Sequence, residues 1–169
     1  MKRLSRILLI LTAVFALTGG CGIYTFSGTS IQADVKTICI KPVVNKATKV
    51  NPALANQLTE ELNDKFRKLT KLEQVDMNGD LELLCEVTGY DVKPMAVTAN
   101  EVAAQNRLTV TVKVEFSNKK YPEDDVSQSF SGYSDYDSMQ SLEAVEAGLC
   151  EEIIEKIVED IFNATVAQW

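Results

Sequence analysis

The apolar positions of this chain change their spacing along its length, and each spacing predicts a different element. The β-branched run VKTICIKPVV, residues 35–44, predicts a strand in which Pro42 marks the end or an edge. From Ala55 to Leu69, apolar residues recur every three or four positions, which predicts an amphipathic helix over residues 52–70. Asn51 precedes a proline at the first helical position and is expected to cap this helix.

The segment that follows this helix has the pattern of several strands. Asn78 and Gly79 form a strong turn signal, which predicts a hairpin between a short strand and a longer one. Apolar and mostly polar side chains alternate over residues 81–87, and the alternation is more regular over residues 107–116. A polar strand is predicted over residues 126–136.

A second long helix is predicted over residues 142–166, because apolar residues recur there at helical spacing from Val145 to Val166. The order β-α-β-β-β-α then predicts an α+β fold. It is a two-layer sandwich with two long helices on one face of a mixed, mostly antiparallel sheet of about four strands. The strands on either side of the first helix are expected to be parallel, because a crossover joins them.

The first twenty residues have the order of a secretory signal peptide. Lys2, Arg3 and Arg6 precede an apolar run over residues 7–17, and small residues follow it. The run is shorter than the roughly 20 residues that a membrane-spanning helix needs. We therefore expect a signal peptide over residues 1–20, a tether over residues 21–33 and a single α+β domain over residues 34–169.

Cys21 directly follows these small residues. The stretch TGGC resembles the lipobox of bacterial lipoproteins, although Thr18 stands where that pattern usually has leucine. The resemblance implies that Cys21 is lipidated and anchors the mature protein to the membrane, which several acyl chains do far more firmly than one. Gly22 follows the cysteine, and by the same resemblance this implies the periplasmic side of the outer membrane. The alternative is ordinary cleavage that leaves Cys21 as a spare thiol.

Charge and cysteine content narrow the range of partners. The chain has 17 basic and 24 acidic residues, and loss of the signal peptide makes it more acidic still. Nucleic acid is excluded as a partner, because its binding requires basic surface. Cys39, Cys85 and Cys150 each lie in an apolar pattern and are expected to be small buried hydrophobic residues.

No catalytic motif is present in the sequence. The chain has no histidine, which removes the commonest general base and the usual metal ligand. DMNGD, residues 76–80, faintly resembles a calcium loop, but its glycine is fourth and not sixth, so a tight turn is expected. The acidic residues 123–125 are expected to be solvated. We predict a protein that is not an enzyme and that has no cofactor and no metal site.

Four segments of the chain together resemble the LptE family, and most closely its Bacteroidetes branch. They are CGIYTFSGTSI, KTICIKPVVNKATKVNPALANQLTEELNDKF, GDLELLCEVTGYDVKPMAVTANEVAAQNRLTVTVKVEF and EIIEKIVEDIFNATVAQW. The resemblance implies an outer-membrane lipoprotein with two helices against a four-stranded sheet. It also implies a plug inside the LptD-like β-barrel translocon that inserts lipopolysaccharide into the outer leaflet. Such a plug supports assembly of the barrel and contacts lipopolysaccharide.

Two other functions stay open at this stage. The segment over residues 35–62 also resembles the first β-α unit of periplasmic lipoproteins related to the TolB N-terminal domain, which include activators of peptidoglycan synthases. A lipid or lipoprotein carrier is the second alternative, and it would need an apolar cavity open to solvent.

The expected topology also suggests where an anionic glycolipid could bind. Lys93, Arg107, Lys46 and Lys49 are all expected at one end of the sheet, next to the loop PMAVTANEVAAQN, which is apolar enough to lie against acyl chains. Arginine binds phosphate in a bidentate manner and lysine supplies a point charge. The alternative is that these are scattered solubilising charges.

The polar face of the sheet is a second candidate surface. Leu84 and Tyr90 are expected on the face opposite Leu83 and Cys85, among polar neighbours. Apolar residues on such a face can mark a partner site, which predicts docking there.

Overall fold

The structure is a computed structural model, and it describes residues 31–49, 51–95 and 104–167. Its elements are β1 (Thr37–Ile40), β2 (Val44–Asn45), α1 (Leu54–Leu69), β3 (Glu73–Gln74), β4 (Leu81–Pro94), β5 (Gln105–Asn118), a short 3₁₀ turn (Pro122–Asp124), β6 (Val126–Asp137) and α2 (Leu142–Thr165). The predicted signal peptide and most of the tether lie outside the described residues. Neither of the two described helices is long and apolar enough to cross a bilayer.

The strands form one mixed sheet with the order β3-β1-β4-β5-β6, and β2 continues beside β4 beyond the end of β1. β1 is parallel to both β3 and β4, whereas β4, β5 and β6 are antiparallel. This confirms the predicted α+β class and the mixed, mostly antiparallel sheet. The sheet has six strands and not about four, because two additional strands are only two residues long.

The first predicted strand is divided in two by Pro42. Proline has no N–H to donate to a sheet, and the neighbouring N–H of Val43 turns to the hydroxyl of Thr59, 3.0 Å away. The main chain rejoins β4 on either side of the break, where the N–H groups of Lys41 and Lys46 donate to β4 carbonyl oxygens. One predicted strand therefore becomes β1 and β2.

The predicted hairpin at Asn78 and Gly79 is wrong. β3 pairs with β1 and not with β4, so the turn carries the chain across β1 to its other side. Asn78 takes the left-handed conformation with φ 56°. A Cβ atom on Gly79 would lie 2.6 Å from the backbone nitrogen of Cys39, so only glycine allows this close passage.

Both helices lie against one face of the sheet, as predicted. α1 buries Leu54, Leu58, Leu62 and Phe66, and α2 buries a longer row that includes Ile153, Ile157, Ile161 and Phe162. The rings of Phe66 and Phe162 meet edge to face, with their centroids 5.2 Å apart. This contact joins the two helices above a continuous apolar core.

Asn51 and the described cysteines have the roles that the sequence indicates. The Asn51 Oδ1 accepts hydrogen bonds from the N–H groups of Ala53 and Leu54, at 2.9 and 3.3 Å, and so caps the start of α1. Cys39, Cys85 and Cys150 are buried free thiols. Burial raises the pKa of Cys85 to about 12, which keeps this thiol protonated and unreactive.

Candidate functional site

The sheet is much longer on one side than on the other. β2 ends opposite Val87, whereas β4 continues to Pro94. This extension is roughly 20 Å long at about 3.3 Å per residue. β5 and β6 accompany it, and we call the region formed by residues 90–94, 105–109 and 133–137 the distal sheet end.

A bulge at Thr88 reverses the faces of the distal part of β4. Val87 pairs with Val112 and Gly89 pairs with Thr111, so Thr88 is an extra residue in the ladder. Tyr90 consequently points into the core and is only 6% exposed. The expectation that Leu84 and Tyr90 share the polar face is therefore wrong for Tyr90, and Leu84 remains on that face with 42% exposure.

A small polar cluster lies beneath this part of the sheet. The Tyr90 hydroxyl donates a hydrogen bond to the carboxylate of Glu146 in α2. Asn51 belongs to the same cluster, because its side-chain amide nitrogen lies 3.8 Å from the sulfur of Cys150 in α2. Burial, together with the hydrogen bond to Glu146, raises the pKa of Tyr90. The cluster fastens the distal end of β4 to the starts of both helices.

Lys93 and Arg107 lie at the same end of the sheet, where the sequence predicts them, and are direct cross-strand neighbours on its polar face. Arg107 is held by Asp135 of β6 in a bidentate ion pair of 2.7 and 2.8 Å, and its guanidinium lies 3.8 Å from the Tyr133 ring centroid. The hydrogen bond to Arg107 lowers the pKa of Asp135. Lys93 is exposed and forms no ion pair with a described residue. Of the two residues, Lys93 is therefore the cation that is free to bind an anionic ligand.

The structure does not bring Lys46 to the distal sheet end. Lys46 lies beside the middle of β4, where its Nζ is 2.6 Å from the Glu86 carboxylate. The predicted chain directions are correct, but β1 and β2 stop about 20 Å short of Lys93 at the usual rise per residue. Lys49 is exposed in the loop after β2. Of the expected cations, Lys93 and Arg107 lie side by side, and Lys46 lies apart from them.

The acidic residues at the other end of the sheet have structural roles. The Asp125 carboxylate accepts the N–H of Asn118 at 2.7 Å, and Asp124 accepts side-chain N–H groups of Asn118 and Gln32. We call the region around Asn118, the 3₁₀ turn and Asp125 the proximal sheet end. In the described part of the chain, no group of three potential ligands is placed to hold a metal ion.

The described surface has three distinctive parts. They are the exposed Lys93 beside the ion-paired Arg107, the polar face of the sheet and a row of acidic residues on α2. This is the arrangement of a binding or assembly domain on a two-layer α+β scaffold.

A family model described as lipopolysaccharide-assembly, LptE, matches residues 35–165. The chain belongs to the LptE family, and its role is in lipopolysaccharide assembly. Members of this family are outer-membrane lipoproteins without enzymatic activity, and they associate with LptD. A comparison with curated protein sequences finds no match.

Several solved structures are similar to this chain at low sequence identity. A Xanthomonas campestris protein has a TM-score of 0.50 at 11% identity, over 74% of this chain and 80% of that one. A minor lipoprotein from Acinetobacter baumannii has a TM-score of 0.48 at 12% identity, over 75% and 89%. A lipoprotein from Neisseria meningitidis has a TM-score of 0.42 at 14% identity, over 76% and 99%. At this level of identity, the first of these similarities shows the fold alone.

Proposed function

We propose that this protein is an outer-membrane lipoprotein that plugs and supports the assembly of the LptD-like β-barrel translocon, which inserts lipopolysaccharide into the outer leaflet. The observation that carries this proposal is the family match over residues 35–165, which includes all the described strands and helices. The acidic domain is consistent with a protein partner and not with nucleic acid.

The proposal includes a lipid anchor at Cys21 on the periplasmic side, after removal of residues 1–20. Residues 21–33 then act as the tether to the domain over residues 34–169. Gln32 binds Asp124 at 2.8 Å, so the tether reaches the domain at the proximal sheet end. The distal sheet end lies roughly 40 Å from this contact at the usual rise of a strand.

The distal sheet end is the proposed lipopolysaccharide contact. Lys93 supplies the exposed charge for a phosphate group, and Arg107 supports it while remaining bound to Asp135. Lys46 lies farther along β4 and can act only on a second part of a large glycolipid, while Lys49 is an exposed cation in the loop after β2. Residues 96–103 of the adjoining loop, which was expected to touch acyl chains, lie outside the described residues.

Affinity purification of the full-length lipoprotein from detergent-solubilised outer membrane tests this function. We expect one large β-barrel protein to co-purify in about equal amount, and depletion of the lipoprotein to lower lipopolysaccharide at the cell surface. Recovery of a peptidoglycan synthase in place of the barrel would support the TolB-like alternative. Recovery of lipid without any stable protein partner would support a carrier.

A further inference from the structure

β6 forms one edge of the sheet and is unusually open for an edge strand. All of its twelve residues pair with β5 without interruption, from Phe116 with Val126 to Gln105 with Asp137. The opposite edge is β3, which has only two residues. A long, regular edge presents a row of unpaired main-chain groups to which another strand can add.

Two hydrogen bonds show which groups of β6 point away from the sheet. Ser138 donates its N–H to the Ala104 carbonyl oxygen at 3.0 Å, so residues of even number bond to β5 in this ladder. The carbonyl of Tyr133 points outward, since Lys156 of α2 reaches it at 3.4 Å. The residues whose main-chain groups point outward are Ser127, Ser129, Ser131, Tyr133, Asp135 and Asp137.

β6 has little of the usual protection against strand addition. Natural edge strands are guarded by charged side chains, above all lysine, by proline or by a bulge. The sequence VSQSFSGYSDYD has no lysine or proline and no bulge against β5, its two charged residues lie at one end, and Lys156 of α2 covers only the Tyr133 carbonyl among the described contacts. A cavity of about 300 Å³ lies between this edge and α2, lined by Ser131, Gly132, Tyr133, Lys156, Glu159 and Asp160. Beside residues 131–133 there is therefore room for side chains of a further strand.

The side of α2 next to this edge determines the chemistry of the added strand. Glu152, Glu159 and Asp160 are exposed there against the single cation Lys156, and Glu152 binds Ser134 of β6 at 2.7 Å. A second copy of the chain would bring another acidic helix to the same place, and like charges would repel. A strand with lysine or arginine on its helix-facing side fits instead.

We propose that β6 receives an extended, basic segment of the barrel partner by strand addition, with main-chain hydrogen bonds supplying affinity and the acidic side of α2 supplying selectivity. This inference rests on the proposed function, because it names the surface through which the barrel is held. It is separate from the lipopolysaccharide contact at Lys93.

The test uses the full-length lipoprotein co-expressed with its barrel partner. Ser129→Pro removes one outward N–H without touching the β5 ladder, and Ser129→Ala keeps that N–H and is the matched control. We expect Ser129→Pro to lower barrel recovery about tenfold and Ser129→Ala to leave it unchanged. Amide exchange at Ser127 and Ser131 should slow about tenfold in the wild-type complex relative to the free protein.

Charge reversal tests the selectivity of the same surface. Glu159→Lys together with Asp160→Lys should reduce barrel recovery, whereas Glu155→Lys, which lies on the other side of α2, should not. If the barrel binds while the β6 amides exchange as in the free protein, strand addition is wrong and the proposed function stands. If wild type captures no barrel, both proposals are wrong. The exchange measurement decides the question even if Ser129→Pro fails to fold.

Discussion

The phenol of Tyr90, in the bulged half of β4, donates a hydrogen bond to the carboxylate of Glu146 in the second turn of α2. Tyr90 is buried and Glu146 is half-buried, so water can replace the bond at the carboxylate more readily than at the phenol. This bond therefore holds the distal sheet end against the helix layer.

Tyr90→Phe should destabilise the domain by about 1–2 kcal/mol, because the half-buried carboxylate loses its donor. Urea unfolding followed by circular dichroism measures the change in the free energy of unfolding. Tyr133→Phe is the matched control, since Tyr133 is 49% exposed and no described hydrogen bond uses its hydroxyl. Equal stability of Tyr90→Phe and wild type would show that the bond contributes nothing.

The bulge that creates this contact marks the limit of prediction from the sequence. Strict alternation correctly places Leu81 to Val87, and one extra residue at Thr88 then reverses every later position of the strand. Gly89 within the strand is the only local sign of it, since glycine in a strand often accompanies a bulge.

The candidate site could also be predicted only in part from the sequence. Lys93 and Arg107 were expected together because antiparallel neighbours share an end. The pairing of Arg107 with Asp135 depends on the register between β5 and β6. That register is set by the 3₁₀ turn at Pro122 and by Asp125, and neither residue has a sequence pattern that reveals it. The sequence pattern also does not reveal that β2 ends early, and this early end separates Lys46 from Lys93.

Two glycines should respond to alanine in opposite directions. A Cβ on Gly79 would lie 2.6 Å from backbone atoms of Cys39 and Leu81, so Gly79→Ala should cost about 1–3 kcal/mol or more. Gly148 lies in α2, and no atom lies within 4 Å of a Cβ added there, so Gly148→Ala should gain about 0.5–1 kcal/mol. Thermal unfolding of both variants provides the comparison. A stable Gly79→Ala would contradict the close passage of the turn over β1.

Asp80 should make the stability of the domain depend on pH. The N–H of Lys36 donates to its carboxylate at 2.8 Å, with further bonds from Thr37 and Lys120. These bonds lower the pKa of Asp80 to about 2. The carboxylate therefore contributes stability above the ordinary aspartate pKa of about 3.9, and this contribution is lost as the pH falls towards 2.

Asp80→Asn should be less stable than wild type by about 1–2 kcal/mol at pH 7, and the difference should shrink between pH 4 and pH 2. Urea unfolding over this pH range measures it. Asp76→Asn, in the same turn, is the control, because its side chain accepts no described hydrogen bond. A constant difference at every pH would mean that the charge of Asp80 plays no part.

Cys21 should carry the lipid. Cells fed a radioactive fatty acid should label the wild-type protein, and Cys21→Ala should lose the label, since acylation of the N-terminal cysteine requires the thiol. Cys150→Ala is the control, because Cys150 is a buried free thiol of the folded domain. Label that persists in Cys21→Ala would refute the proposed anchor.

Lys93 should carry the charge-dependent part of lipopolysaccharide binding. Lys93 is exposed and unpaired among the described residues, whereas Arg107 beside it is bound to Asp135 and stacked on Tyr133. Lys93→Glu should therefore weaken binding of purified lipopolysaccharide about two- to fivefold at low salt. The difference should diminish as salt screens the charge.

Lys71→Glu is the control for Lys93→Glu, because the two substitutions make the same change in net charge. Lys71 is an exposed residue after α1, at the proximal sheet end. Fluorescence anisotropy with labelled lipopolysaccharide measures both variants beside wild type, and circular dichroism confirms that each is folded. Equal weakening by Lys71→Glu would mean that only the total charge matters. Unchanged binding by folded Lys93→Glu would remove the distal sheet end as the lipopolysaccharide contact while leaving the barrel partnership open.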